Sequence, residues 1–561
     1  MADVLEIRGE SPFKINAYRK ASRLLASLDI PVESFWQNHR LEELPGIGPA
    51  ISKKIDEFLQ TGRMGKYQEV IASVPHGLVD ILRIRNIGPR TLARLHRELG
   101  VEKLEDLKRT IEDGRLSRMS GFGRAKTETL RKEIEFFERE SGRLPLGTAM
   151  SMADEAIAFL RTVRCADRIH PAGSLRRCCE TVGDIDILAE TDNPDKAIGH
   201  FTAMPGKTEV LNTGDVKASI RYGIVQIDLQ TVSHDSWGAA LQHFTGSQGH
   251  NIRLRRLAKS RGWTLNENGL FQDSQRLAGV REEDIYESLG MPWIAPELRE
   301  DRGEIERALE SRLPDLVDLG DITGDFHVHT RWSDGIGTIQ DMAEKARRLG
   351  YSFLAICDHS RSVSYAGGLG TEALMRQIEE IEGLNKGMSD FRILSGIEVD
   401  ILSDGSLDFE DDILRRLGVV IASVHTGFKS RVTERMIRAV GNPYVNILAH
   451  PTGRILTQRE GYDVDISAVI RACAESGTAL ELNANAERLD LGDVLCRQAS
   501  DQGVPLAIGT DAHRPEQMAW MGLGVGTARR AWLERKDVIN GWSLDRILSW
   551  RDEKRRKRKT S

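Results

Sequence analysis

The amino-acid sequence predicts a multidomain chain with three kinds of architecture. An α-helical, hairpin-rich amino-terminal region is followed by an α+β middle region and then by an α/β carboxyl-terminal region built on a parallel sheet or βα-barrel. Three observations carry this reading. Glycine-centred turns recur three times within the first 140 residues. A strand with two aspartates one residue apart follows a turn rich in glycine and arginine. After residue 315, seven short apolar runs alternate with helical segments. At 561 residues and 40% hydrophobic content, each region has enough apolar residues for its own core.

In the first region, apolar residues fall at three- and four-residue spacing, as in helices. The recurring turns are Leu44-Pro45-Gly46-Ile47-Gly48, Arg85-Asn86-Ile87-Gly88 and Ser120-Gly121-Phe122-Gly123. Each precedes a helix rich in Lys or Arg, the pattern of a helix-hairpin-helix. Glycine permits the tight turn, and backbone N–H groups at the following helix start can meet a phosphate without reading base edges. Gly46, Gly48, Gly88, Gly121 and Gly123 are therefore candidate DNA-backbone contacts. A single Gly-x-Gly would be an ordinary helix connection; three at comparable spacing favour sequence-independent DNA binding.

Pro145 and Gly147 read as a linker, and a helix from Met152 to Val163 leads into Ala172-Gly173-Ser174-Leu175-Arg176-Arg177 and Val182-Gly183-Asp184-Ile185-Asp186-Ile187-Leu188. The period of a strand puts Asp184 and Asp186 on one face, with Ile185 and Ile187 behind. Two like charges so placed call for a cation between them, and hard cations such as Mg²⁺ take carboxylate oxygens while keeping positions open for phosphate. Alone, Asp-x-Asp would suit any solvated strand; the glycines and arginines beside it point instead to a metal-bound triphosphate. The alternating stretch from Ser219 to Gln230 presents Asp228 as a third carboxylate. Three carboxylates on adjacent strands would hold two divalent cations for phosphoryl transfer. Next, Leu241 to Ser247 ends in a turn and opens a helix carrying Asn251, Arg253, Arg255 and Arg256, which reads as facing the nucleotide.

Residues 296 to 315 are charged and bounded by Pro296 and Pro314, as expected of an interdomain connector. The seven apolar runs beyond it are 326–328, 353–357, 393–399, 419–424, 445–449, 479–483 and 505–509. Polar residues end them: His327 and His329, Asp358 and His359, Glu398, His425, His450, Asn483, and Asp511 with His513. Barrel enzymes place their chemistry at these carboxyl ends. Of 14 histidines, the six beyond residue 315 all lie there. Together with Asp334, Glu398 and Asp511 they make a ligand set too large for one ion. Nitrogen and oxygen donors without thiolate suit Mn²⁺, Zn²⁺ or Fe²⁺ in a cluster of two or three, which predicts phosphoester hydrolysis.

Composition narrows the classes. The formal charge is -6, so nucleic-acid binding cannot rest on overall charge, but the distribution is uneven. Residues 1–150 hold 26 basic and 22 acidic side chains, residues 151–315 hold 20 and 26, and residues 316–561 hold 32 and 36. The more basic amino-terminal part suits phosphate binding and the acidic remainder suits metals. Six scattered cysteines without a C-x-x-C pair argue against a disulfide framework and a thiolate zinc site. No apolar run approaches membrane-spanning length and the amino terminus lacks a signal-peptide core, so a soluble, cytoplasmic protein is expected. The terminal run Lys554-Arg555-Arg556-Lys557-Arg558-Lys559 reads as a solvated tail adding nonspecific DNA attraction.

Taken together, these residues resemble the bacterial family X DNA polymerases, with a polymerase-beta-like front and a carboxyl-terminal polymerase-and-histidinol-phosphatase (PHP) domain. The resemblance runs from Pro12-Phe13-Lys14-Ile15-Asn16-Ala17-Tyr18-Arg19-Lys20-Ala21 to Ile508-Gly509-Thr510-Asp511-Ala512-His513. It implies a helical DNA-binding domain with the first hairpin over residues 1–80, a fingers-like helical domain over 81–145 and a nucleotidyltransferase palm over 146–232. A thumb over 233–295, a linker over 296–320 and a distorted (β/α)7 PHP barrel over 321–561 complete it. By resemblance, Asp184, Asp186 and Asp228 are the catalytic carboxylates that bind two Mg²⁺ or Mn²⁺ ions. Gly173, Ser174, Arg177 and Gly183 match positions around the incoming triphosphate, and Phe244, Gly246, Asn251 and Arg255 match the nucleotide and template pocket. His327, His329, Asp334, His359, Glu398, His425, His450, Asp511 and His513 match the nine metal-ligand positions of the PHP domain. Relatives with that set intact are similar to manganese-dependent 3′–5′ exonucleases, with related end-trimming or abasic-site cleavage. His243 stands where relatives usually carry Tyr beside Phe244 to screen the sugar 2′ position. Lys54 lies where lyase-active relatives carry a Schiff-base lysine, and Lys53 beside it fits a plainer phosphate contact.

The expected function is thus a repair polymerase that fills short gaps in DNA from dNTPs, acts as a monomer, and trims 3′ ends at a second centre. Two other readings compete: a PHP phosphoesterase for small phosphomonoesters that the front half brings to DNA, and a noncatalytic DNA-binding scaffold with structural metals.

Overall fold

The computed structural model describes residues 1–26, 32–37, 39–44 and 46–557. Pro45 of the first hairpin and Arg558 and Lys559 of the terminal basic run lie outside them. The chain divides into two compact units, Met1–Ser141 and Gly142–Ser561.

The first unit is helical. In each glycine turn, one residue takes a left-handed backbone: Gly46 at φ +104°, Asn86 at +66° and Gly121 at +86°. Two residues later Gly48, Gly88 and Gly123 serve as N-caps of the helices Pro49–Thr61, Pro89–Leu99 and Arg124–Glu140. Asparagine fills this role in the second turn because, after glycine, it tolerates that backbone best. No side chain caps these three helix starts, which leaves their first N–H groups open to a ligand.

The second unit begins with strand β1 (Leu144–Pro145), which pairs antiparallel with β3 (Thr181–Val182). Pro145 and Gly147 therefore do not form a linker. The helix runs Leu146–Arg161, and a Cβ on Gly147 would fall 2.9 Å from that of Ala486. A five-stranded sheet follows, made of β2 (Arg168–Pro171), β4 (Asp184–Glu190), β5 (Lys207–Thr213), β6 (Lys217–Tyr222) and β7 (Val225–Val232) in the order β2-β4-β7-β6-β5. Only β4 and β7 are parallel. Ile185, Ile187 and Phe201 are buried with the helix Leu146–Arg161 on one side, and Leu188 packs with Trp237 and Leu241. Beyond it, β8 (Trp263–Asn266), β9 (Gly269–Gln272) and β10 (Gln275–Ala278) form a small antiparallel sheet.

The charged stretch 296–320, expected as a linker, is instead packed structure. It holds the helix Glu304–Leu309 and buries Arg299, whose guanidinium lies 5.1 Å and 5.5 Å from the rings of Tyr286 and Trp293 and donates to Glu282 at 2.6 Å. His250 bonds Glu304 at 2.7 Å. The charges meet partners inside the fold rather than water, which composition alone does not reveal.

All seven expected barrel strands are present: β11 (Gly324–Val328), β12 (Phe353–Ile356), β13 (Arg392–Asp400), β14 (Val419–Ser423), β15 (Ile447–Leu448), β16 (Ala479–Asn483) and β17 (Leu506–Gly509). They are parallel neighbours in chain order. The ring nearly closes where Asp511 donates its N–H to the His327 carbonyl and His329 to that of Ala512, both at 2.8 Å. Strand alternation separates two apolar sets. Phe353, Ala355, Val419 and Ile421 share one with Ile547 of the helix Leu544–Lys557, while Leu354, Ile356, Val420 and Ala422 pack with the other barrel helices. Lys554 is not part of a solvated tail. It is buried, and its ammonium donates to the Val445 carbonyl and the Thr478 hydroxyl. Among the described residues, no helix is long and apolar enough to cross a membrane.

Candidate functional site

The register of β4 against β7 sets Asp186 directly beside Asp228, with Asp184 opposite Gln226. Burial, then the charges of Asp184 and Asp228, push the Asp186 carboxyl up to about 7. Gly173 lies against it at φ +59°, and a Cβ there would fall 2.1 Å from Asp186 Oδ2. Lys217, which sequence reading missed, donates to Asp228 Oδ2 at 2.8 Å, and Gln226 donates to Oδ1 at 2.8 Å. Burial would raise the Asp228 carboxyl, yet the bonds from Lys217, Ser219 and Gln226 hold it below the ordinary range. Three carboxylates on one face, one of them pushed up by the charges of the other two and another paired with a lysine, are a donor set that fits divalent cations.

Around this face, Ser174 belongs to the short helix Gly173–Arg176, and Gly183 stands between β3 and β4. Arg176 grips Glu282 through two bonds of 2.8 Å. Arg177 donates to Glu300 at 2.9 Å and to the Thr245 carbonyl at 2.5 Å. Glu300 also accepts a 2.8 Å bond from Arg530, on the barrel-side helix Met521–Arg530. The nucleotide-side candidates form one network. Asn251 accepts from Gln242 and donates to the His243 carbonyl, both at 2.7 Å, and Arg255 lies 3.1 Å from His243 Nδ1. The His243 ring meets Phe244 edge-on, 5.1 Å between centroids, and Gly246 takes φ +71°.

At the barrel mouth the nine expected residues converge. Three groups bring their donor atoms within 4.8 Å of one another: His329, Asp334, His359 and His513; His327, His329 and Asp511; and His359, Glu398 and His425. His450 joins through a 2.9 Å contact with Glu398. The donors fit metal ions on two grounds. His329 Nδ1, His450 Nδ1 and Glu398 Oε2 are buried without hydrogen-bond partners, a costly arrangement without a ligand. Moreover, His359 Nδ1 and Glu398 Oε2 face each other at 2.7 Å without hydrogen-bond geometry. Burial, with His513 and His359 nearby, pulls the His329 imidazole down to about 3 and keeps it in its neutral, ligating form.

A second layer surrounds these residues, in which Asp358 is one of the run-ending residues of the sequence while Glu481 and Asp400 went unread. Glu481 accepts from His327 at 2.6 Å and from the His450 backbone at 2.8 Å. Asp400 accepts from the His425 N–H at 3.0 Å, and Asp358 holds Thr330, Ser333 and Gln377. Such partners orient ligating imidazoles. Glu481 sits inside an apolar run, so only its parity with Asn483 could have exposed it.

In the first unit, Lys54 lines a cavity of about 690 Å³ with Tyr18, Arg19 and Tyr67. Its ammonium donates to the Ala50 carbonyl at 2.6 Å.

A carboxylate palm with a thumb, joined to a histidine-rich parallel barrel and preceded by hairpin helices, defines a two-centre class of nucleic-acid enzymes. Family models match accordingly: a helix-hairpin-helix domain at residues 1–64, a SAM-like helix-hairpin-helix tandem at 78–135, a DNA polymerase beta thumb at 240–300 and a PHP domain at 325–485. The chain is 37% identical over 552 residues to the DNA polymerase/3′-5′ exonuclease PolX of Bacillus subtilis (strain 168), covering 97% of this chain and 96% of that protein. The chain belongs to the bacterial family X DNA polymerases that carry a PHP domain. A probable phosphatase of Thermoanaerobacter sp. (strain X514) is 29% identical over 248 residues, 42% of this chain and 96% of that protein. DNA polymerase lambda of Arabidopsis thaliana is 25% identical over 321 residues, 50% of this chain and 57% of that protein.

Proposed function

We infer that the chain is a DNA-directed DNA polymerase of repair type, filling short gaps from dNTPs, and that its barrel is a metal-dependent 3′–5′ exonuclease. The observation that carries this is the presence of two separate ligand constellations in one unit of a chain that matches a polymerase/exonuclease over 97% of its length. Divalent cations, Mg²⁺ or Mn²⁺ at Asp184, Asp186 and Asp228 and Mn²⁺, Zn²⁺ or Fe²⁺ at the barrel, would supply Lewis acidity toward phosphate oxygens. The chain's own residues do the positioning. Arg177, with Ser174 and Gly183, receives the triphosphate. Phe244, Gly246, Asn251 and Arg255 shape the nucleotide pocket, with His243 against the sugar. Asp228 draws the proton from the primer 3′-hydroxyl as it attacks the α-phosphate and pyrophosphate departs. Lys217, already bonded to Asp228, keeps that carboxylate ionised. In the barrel, Glu481 and Asp400 orient His327 and His425.

The open helix starts at Gly48, Gly88 and Gly123 support backbone contacts to DNA, with Gly46 and Gly121 shaping the turns. Six free thiols suit a reducing, cytoplasmic compartment, and both centres being complete within one chain supports a monomer. The finer divisions at residues 80, 145, 232, 295 and 320 belong to this same reading. A lyase role for Lys54 requires its amine to leave the Ala50 carbonyl; borohydride trapping on a 5′-deoxyribose phosphate end tests it, and equal trapping by Lys54→Ala rules it out.

One observation favours a second reading of the barrel, since relatives that match 34% to 42% of the chain are named probable phosphatases. The test is to incubate the protein with a labelled one-nucleotide-gapped duplex, with or without dNTPs, and separately with a small phosphomonoester. Gap filling in Mg²⁺ and dNTP-free 3′ shortening in Mn²⁺ are expected. Faster phosphate release from the monoester than nucleotide release from DNA would favour the second reading.

A further inference from the structure

The barrel ligands open into a cavity of about 200 Å³. This is below the roughly 300–1,000 Å³ of pockets that enclose a whole small ligand, so it has room for a phosphate group but not for a nucleotide with its base. Whatever base the substrate carries must lie on the rim.

The rim offers a surface for it. Tyr365 lines this cavity beside His359 and Asp334, yet the residue is 77% exposed. Single exposed aromatics are ordinary, but this one stands at a cavity of ligating groups and on a rigid support. The turn Ser364–Ala366 is closed by Ala366 donating to the Val363 carbonyl at 3.1 Å, and Leu369 donates to the His359 carbonyl at 2.8 Å. Gly368 packs so tightly on Ser360 that a Cβ would fall 1.9 Å from its carbonyl oxygen. Buried Val363 anchors the base of the turn. The backbone that carries the exposed ring is thus firmly held. Another wall of the cavity is cationic, through Arg488, whose Nε lies 3.7 Å from Asp511 Oδ2. A polar, phosphate-sized cavity with a cation on one wall and an aromatic face at its mouth matches a nucleotide unit of a single strand, where stacking holds the base regardless of its identity.

We propose that Tyr365 is the stacking platform for the 3′-terminal base of an unpaired DNA strand whose last phosphodiester enters the barrel cavity. The proposal rests on the exonuclease reading and adds a residue to it: Tyr365 holds the terminal base at the cavity mouth whatever the identity of that base.

The full-length protein, Tyr365→Ala and Tyr365→Trp are compared in Mn²⁺ on two single-stranded oligonucleotides, one with a normal 3′ nucleotide and one ending in a tetrahydrofuran residue that lacks a base. Tyr365→Ala should lose about tenfold in kcat/KM on the base-bearing end, the order one base–aromatic stack contributes, and less than twofold on the abasic end. Tyr365→Trp should retain wild-type rates on both. A 3′-terminal 2-aminopurine should be quenched on binding to wild type and not to Tyr365→Ala. Equal losses on both ends, or no loss on either together with unchanged quenching, overturn the proposal. If wild type shortens neither oligonucleotide, the exonuclease reading itself fails.

Discussion

Gly173 and Asp186 are in such close approach that a single added carbon at Gly173 would lie 2.1 Å from Asp186 Oδ2. The strand that carries the carboxylate and the turn that precedes it are thus mutually fitted, and the left-handed φ of +59° at Gly173 adds a second reason for glycine. Gly173→Ala forces Asp186 to move, and displacements near 1 Å at such a site cost about a hundredfold in rate. Nucleotide addition to a gapped primer should fall by at least that order while Mn²⁺-dependent 3′ shortening stays at wild-type level. Single-turnover extension measures the first and a dNTP-free gel assay the second.

Asp186 also makes stability depend on pH. Its carboxyl is raised to about 7 by burial and by Asp184 and Asp228, against about 3.9 in an unfolded chain. The native state therefore binds this proton more tightly than the unfolded state. The stability it contributes is fully present below pH ~4 and is lost as pH rises through about 7. In metal-free buffer, Asp186→Asn should be more stable than wild type at pH 8, on the order of 2 kcal/mol after allowance for solvent screening, with the gain shrinking by pH 5. Added Mg²⁺ should raise the melting temperature of wild type but not of the variant. Identical melting curves at pH 8 contradict the account.

Arg530 ties the barrel to the nucleotide side of the palm. Besides Glu300, it donates to the Arg177 carbonyl at 2.8 Å and pairs with Asp493 at 3.0 Å. Removing it leaves Glu300 with Arg177 as its main partner, so that Arg177, which we propose receives the triphosphate, is more tightly withheld. Arg530→Ala should raise the KM for dNTP about tenfold, change kcat less, and leave 3′ shortening intact, as steady-state single-gap filling would reveal. An unchanged KM would mean that Glu300 does not govern Arg177.

Local periodicity made much of this legible. Alternation in Asp184-Ile185-Asp186-Ile187 carried the face of the palm strand, and the polar residues ending seven apolar runs carried the candidate barrel ligands, because both patterns are set by neighbours in sequence. The rest depends on register between distant segments. Lys217 meets Asp228 only because β6 pairs with β7. Glu481 faces His327 only once the barrel has nearly closed. Charged residues misled for the same reason: Arg299, Glu304 and Lys554 look solvated in the sequence, yet their partners lie on other elements. Tyr365, in a short loop after the His359 strand end, carries no periodic signal at all.

The central claim is that one chain holds two independent centres, one that adds nucleotides and one that removes them. Its most direct test is to incubate wild type, Asp184→Ala and His329→Ala with a 3′-shortenable gapped duplex, with and without dNTPs, in Mg²⁺ or Mn²⁺, and to resolve both products on one gel. Asp184→Ala should lose extension and keep Mn²⁺-dependent shortening, and His329→Ala should do the reverse. Joint loss of both activities in either folded variant, or normal extension by Asp184→Ala, would contradict the account.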